Sequence, residues 1–370
     1  MVSFENNFEE VVESLPEPIR LENFHNDLPE ITCFIGIVGF EKRCTAIAES
    51  LIEKGFTAET GILINYSQAE MKEKNEVNKD ELFDLIKKIS RNQDLVELDY
   101  KDNSLENDFG KFLLNQLIQN GINIESSDTH IFFDITVGSS RLLLEGLHAL
   151  INTNVNLTLF YSEIKNYRPF VDEYEKDLRN KIQKGVSPSE FLSTGIERVD
   201  LLSSIPGRFA DSRPTSMVVF PSFNQVRIGA VIDEMSPNLV HWIFGIPHLV
   251  KNRWRITAQT NYHQSLIGRL HSSDLVSTFD YRETLWALNN YYQDKNKDFN
   301  ILICSLGSKL QKVGQVLFHI LRPEVGAVVS IPRDWDSNRH DETVRALYAV
   351  PLGACQMLRD SLLKTKILKL

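Results

Sequence analysis

The sequence lacks the signatures of several large enzyme classes. Its first apolar run, Ile31 to Val38, leads into Gly36-Ile-Val-Gly39-Phe40-Glu41, too sparse in glycine for the GxGxxG turn of redox dinucleotide enzymes. No GxxxxGK[ST] loop occurs, so a nucleoside triphosphatase of the P-loop type is not expected. No GxSxG elbow is present either, and no serine, histidine and aspartate stand at a triad-like spacing. Cysteine is scarce: Cys33, Cys44, Cys304 and Cys355 are scattered, with no CxxC pair. Cys33 and Cys304 lie inside apolar runs, which predicts reduced core thiols and no metal site. No run approaches the ~18–20 apolar residues of a membrane helix. The N-terminus is acidic and has no signal-peptide core, so a cytoplasmic protein is expected. Positive charge is in deficit, with 40 Lys+Arg against 50 Asp+Glu, a formal net charge of −10. That speaks against an extended nucleic-acid surface and leaves room for a local basic pocket.

What is present is a chain of 370 residues, 42% hydrophobic, long enough for two sizeable cores. Apolar strand-like runs alternate with helix-period segments, which predicts an α/β protein with doubly wound parallel sheets. Residues 1–30 read as an N-terminal arm, 31–163 as a first Rossmann-like unit, and 164–213 as a connector with one helix. Residues 214–370 read as a second Rossmann-like unit ending in a C-terminal helix. The second half resembles the first in element order and spacing, which predicts an internal duplication. The alignment pairs Phe40 with Phe223 and Arg43 with Arg227.

One stretch organises the second half. Ile301 to Cys304 is a buried strand, Ser305-Leu-Gly307-Ser308-Lys309 a polar turn, and Leu310 onwards a helix. Gly307 would let a ligand approach the backbone, or would serve helix packing. Ser308 can cap the helix, whose first free N–H groups favour an anion. The first half repeats the design in Thr136-Val-Gly138-Ser139-Ser140-Arg141.

In open parallel sheets ligands sit beyond the carboxyl ends of the strands, where the strand order reverses. That rule selects these turns. Arg43, Arg141, Arg227, Arg282 and Lys309 would supply cations for phosphate. Thr136, Gly138, Ser139, Ser305, Gly307 and Ser308 would line the turns. Phe40 and Phe223, with Tyr161, Tyr281 and Trp335, could stack on a base. A second set of residues suits hydrolysis: Asp134 and Glu163-Ile-Lys165 end adjacent strands in the D…ExK manner of Mg²⁺ nucleases, while Asp280, Glu283 or His340 could serve a nucleotide hydrolase.

The pattern of apolar strand, [ST]-x-G-S-[SK] turn and helix resembles the CARF family, the Rossmann-like sensor domains of CRISPR-associated and related prokaryotic defence proteins. The resemblance rests on Thr136 to Arg141 and Ser305 to Lys309, and in element order covers about 31–163 and 214–360. The first half departs from it, with Ser140-Arg141 where the family would have lysine. The resemblance implies a fused pseudo-dimer that binds a nucleotide second messenger in a cleft shared by both halves, with no other cofactor. It also implies a separate effector protein as partner, and a homo-oligomer is compatible with it. Two other readings stay open: an enzyme acting on such a ligand, and a ligand-free scaffold subunit of a defence complex.

Overall fold

The computed structural model describes residues 5–25, 31–66, 69–91, 95–101, 108–184, 193–267, 271–335 and 343–367. The chain divides into two units, residues 1–166 with 341–370, and residues 167–340.

Unit 1 begins with α1 (Glu5–Ser14) and the short β1 (Ile19–Arg20). It continues through β2 (Ile31–Ile37), α2 (Ala46–Glu53), β3 (Ala58–Tyr66), α3 (Ala69–Ile89), β4 (Leu95–Tyr100), α4 (Phe109–Gln119), β5 (His130–Asp134), α5 (Ser140–Ile151) and β6 (Asn156–Ile164). Unit 2 contains α6 (Val171–Lys184), β7 (Ser193–Leu201), β8 (Thr215–Phe220), α7 (Gln225–Met235), β9 (Leu239–Ile246) and α8 (Trp254–Tyr262). It then adds β10 (His271–Ser277), α9 (Tyr281–Lys295), β11 (Asn300–Ser305), α10 (Lys309–Leu321) and β12 (Gly326–Trp335). The chain returns to unit 1 as β13 (Val344–Ala354) and α11 (Cys355–Ile367).

The two sheets share one order. In unit 1 it is β4-β3-β2-β5-β6-β13, with β1 beyond β13; in unit 2 it is β10-β9-β8-β11-β12-β7. Within each, the five central strands are parallel and the sixth is antiparallel. The fold is therefore α/β with two mixed, mostly parallel sheets, as tandem Rossmann-like units require. The order reverses between β2 and β5 in one unit and between β8 and β11 in the other. Those switch points are where the glycine–serine turns lie.

The central strands carry near-continuous apolar side chains because helices cover both faces. Phe34, Leu63, Phe132 and Phe160 pack with Ile47 and Leu51 of α2 and Leu82 and Ile86 of α3. In unit 2, Met217, Val219, Trp242 and Leu302 pack with Ile228 and Val231 of α7. Each such side chain contributes roughly 1.5–3 kcal/mol by leaving water.

The expected boundaries need two corrections. The segment 164–213 is more than a connector, since it contributes α6 and the edge strand β7 to unit 2. The segment after 341 belongs to unit 1, because β13 pairs with β6 from Val344↔Ile164 to Ala354↔Asn156. Pro351 and Gly353 disguise that strand in the sequence. They sit where its register shifts, which is where a ladder tolerates proline. The sixth strand of each sheet is thus supplied by the segment that follows the other sheet's fifth strand.

A buried arginine ties the first turn of each unit to its fifth parallel strand. Arg43 Nη1 donates to the Ser162 carbonyl at 2.9 Å, and Nε donates to Glu41 Oε2 at 2.6 Å. Arg227 donates from Nε to Ser330 Oγ at 3.1 Å and from Nη2 to the Ser330 carbonyl. The pairing of Arg43 with Arg227 expected from the sequence thus corresponds to a repeated contact. Arg43→Ala would leave Glu41 buried without its cation. We expect a loss of about 3–5 kcal/mol in urea unfolding, with much of it recovered in the Arg43→Met/Glu41→Gln double variant.

Candidate functional site at the strand ends

The two turns have the same backbone design and different chemistry. In unit 1, Ser139 caps α5, its Oγ accepting from Leu142 N at 3.2 Å, while its own N–H donates to Tyr66 Oη at 2.6 Å. Gly138 is glycine for packing: a Cβ there would stand 2.6 Å from the Leu143 side chain. Thr136 Oγ1 donates to Asp134 Oδ1 and accepts from Ser162 N at 2.9 Å. Asp134 Oδ1 also accepts from Thr136 N at 2.9 Å. Arg141 turns along its own helix to Glu145, Nε to Oε1 3.2 Å, and Glu145 Oε2 accepts from Phe109 N at 3.0 Å. The polar groups of this turn therefore serve the unit itself.

In unit 2, Ser308 caps α10 in a full capping box. Its Oγ accepts from Gln311 N at 3.1 Å, and its N–H donates to Gln311 Oε1 at 2.8 Å. A Cβ on Gly307 would stand 2.4 Å from that same Oε1, so the glycine makes room for the box. Ser308 Oγ also donates to the Thr278 carbonyl at 2.6 Å.

The feature that sets this turn apart is Lys312, which the sequence pattern did not single out. Its side chain is buried, and Nζ donates to the Gly307 carbonyl at 2.6 Å and weakly to the Ser308 carbonyl at 3.4 Å. Burial pushes its pKa well below the ordinary lysine value, and the positive charges of Lys309 and Arg227 push it further. At the end of β11, Ser305 Oγ is buried without a hydrogen-bond partner. Trp335, half-buried at the end of β12, lies under the Arg227 guanidinium at 5.6 Å. The charges of Lys312, Lys309 and Arg227 thus act on one another at this end of the sheet. A Gly-Ser-Lys-x-x-Lys spacing was the available signal, because three residues carry a side chain back toward the turn it follows.

The remaining expected residues divide clearly. Phe223 is enclosed by Tyr174, Trp254 and Tyr262, so it is core rather than a stacking platform. Phe40 is half-buried. Arg282 is paired with Asp280, Nη2 to Oδ2 2.7 Å, and Asp280 caps α9 through Arg282 N at 3.0 Å. Glu283 Oε2 accepts from Ser277 N at 2.7 Å. Glu163 is buried and accepts from Arg345 Nε at 2.7 Å and Tyr348 Oη at 3.4 Å, both on β13. Lys165 is exposed, with its backbone N–H on the Thr343 carbonyl. His340 lies outside the described residues. Among the described residues no cluster of histidine, cysteine and acids could hold a metal ion. A serine–histidine–aspartate set does occur on β9 and β10, with His241 Nδ1 2.7 Å from Ser272 Oγ and Nε2 3.1 Å from Asp274 Oδ2. It sits mid-strand, stacked on Tyr291 at 4.2 Å, and binds the edge strand to the sheet.

No protein-family model matches the sequence, and no curated protein matches it. Among solved structures the chain is similar to Can2 from Sulfobacillus thermosulfidooxidans in complex with cyclic tetra-adenylate. The identity is 11%, over 35% of this chain and 37% of that one, at a TM-score of 0.26. It is similar to a type III CRISPR defence DNA nuclease activated by cyclic oligoadenylate, at 7% identity over 77% of this chain and 63% of that one, TM-score 0.45. It is also similar to the cytoplasmic domain of a prokaryotic cation chloride cotransporter, at 7% identity over 85% and 98%, TM-score 0.22. The chain spans about a third of the first protein and under two thirds of the second. Likeness at this level concerns the arrangement of strands and helices and assigns no ligand. No described helix is long and apolar enough to cross a membrane.

The buried charges lead to two expected outcomes. Burial raises the Asp134 pKa from 3.8 to about 7, against the opposing hydrogen bonds of Thr136 and the charge of Arg43. A raised carboxyl binds its proton more tightly when folded, so its stabilisation is full below pH 3.8 and is lost as pH climbs through about 7. Asp134→Asn is expected to flatten that decline in urea-unfolding free energy, leaving the part due to Glu145, whose pKa burial also raises to about 7. Lys312→Met removes a desolvated charge, so its melting temperature at pH 7 is expected to rise by a few degrees, about 1 kcal/mol.

Proposed function

We propose that the chain is a binding protein for a phosphorylated nucleotide-type ligand, whose occupancy is read by a separate effector protein. The observation that carries this reading is the Lys312 ammonium. It is buried at the switch point with Lys309 and Arg227 beside it, and its pKa is depressed by burial and by both of those cations. An anion bound there would offset the desolvation of the ammonium. Phosphate at the turn would receive Lys312 Nζ, Ser305 Oγ and Lys309, and Trp335 would lie against an attached base. The strand-end position is where parallel sheets bind ligands, and the resemblance of the turn to nucleotide sensors points the same way. The acidic net charge of −10 speaks against an extended anion-binding surface and is compatible with a local one.

The test is mass spectrometry of small molecules released from the purified chain, followed by calorimetry with the compound found and with cyclic tetra-adenylate. Lys312→Met and Lys309→Ala are each expected to weaken binding at least tenfold. Affinity should fall as pH rises, because the protonated form of Lys312 holds the anion and burial lowers its pKa. Unchanged retention in both variants, or no released phosphorylated compound and no binding of the probe, refutes the reading.

A further inference from the structure

Matching the turns residue by residue shows how far the two units have diverged. With Gly138 set on Gly307 and Ser139 on Ser308, Thr136 falls on Ser305, Ser140 on Lys309 and Leu143 on Lys312. At these three positions unit 1 carries neutral side chains. Thr136 Oγ1 has two partners, Asp134 and Ser162 N, whereas Ser305 Oγ has none. Leu143 is fully buried against Gly138, whereas Lys312 extends its ammonium to the Gly307 carbonyl. Ser140 carries no charge where Lys309 stands. The nearest cations in unit 1, Arg43 and Arg141, are each paired with a buried carboxylate, Glu41 and Glu145.

We propose that anion recognition resides in unit 2 alone, and that the matching turn of unit 1 is a closed, structural copy. This rests on the function proposed above and narrows it. The ligand presents one phosphate group to one turn, so its recognition needs no two-fold symmetry. The class that fits is a mononucleotide or a linear oligonucleotide with a terminal phosphate, rather than a symmetric ring read twice. Tyr66 and Leu143 hold the unit 1 copy shut, one from the Ser139 amide and one over Gly138.

Titration calorimetry of the full chain with AMP as probe tests this, alongside cyclic tetra-adenylate. One AMP per chain is expected, with Lys309→Ala and Lys312→Met each lowering affinity at least tenfold. In unit 1, Ser140→Ala and Tyr66→Phe should leave affinity within twofold; thermal melting confirms that each variant is folded. Two equivalent sites per chain overturn the inference while leaving the function standing. So does a loss in Ser140→Ala or Tyr66→Phe as large as in Lys309→Ala, or tight binding of the ring with none of AMP. Failure of both probes, or indifference to both unit 2 variants, overturns the function and this inference together.

Discussion

A buried guanidinium reaching from the first strand-to-helix turn to the fifth strand is the constraint on which each unit depends. Arg43 and Arg227 fix the spacing between the first and fifth strands by donating to the carbonyls of Ser162 and Ser330. The glycine–serine turn of the fourth strand lies between these two anchors, so its backbone position is set by them. In unit 1 the charge of the strap is met by Glu41. In unit 2 the charge of the strap lowers the pKa of Lys312. One contact therefore serves the fold in both units, and in each its charge acts on a buried group at the turn, Asp134 in unit 1 and Lys312 in unit 2.

This explains what was legible in the sequence. Strand-to-helix alternation, the two matched turns and the pairing of Arg43 with Arg227 could all be read, because they follow from period and local turn chemistry. The roles of the arginines could not. Arg43 and Arg141 look like phosphate ligands until Glu41 and Glu145 are seen beside them, and nothing in the spacing says which way a guanidinium turns. Phe223 looked like a stacking platform because Tyr174, Trp254 and Tyr262, which enclose it, are distant in the chain. Lys312 was missed for the opposite reason. A lysine one turn into an apolar helix reads as a snorkelling surface residue, and only its burial shows otherwise.

The carboxylates at the strand ends are held by their own neighbours. Asp134 and Glu163 end adjacent strands at a nuclease-like spacing. Each is bound by its own neighbours, Asp134 by Thr136 and Glu163 by Arg345 and Tyr348. They complete the hydrogen bonding of the strand ends, where ladder partners run out. The same accounting applies to Asp280 and Glu283, which satisfy the free amides at the start of α9 and the end of β10.

The crossed supply of sixth strands makes the halves mutually dependent in manufacture as well as in structure. A ribosome finishing β6 has not yet made β13, which will cover it, and unit 2 must be nearly complete before that edge is closed. A gene split between the apparent halves would give two fragments, each with an open ladder on its last parallel strand. Recombination and fission are therefore poor routes for such a chain to evolve, and substitution within the paired turns is the easier way for the two halves to drift apart.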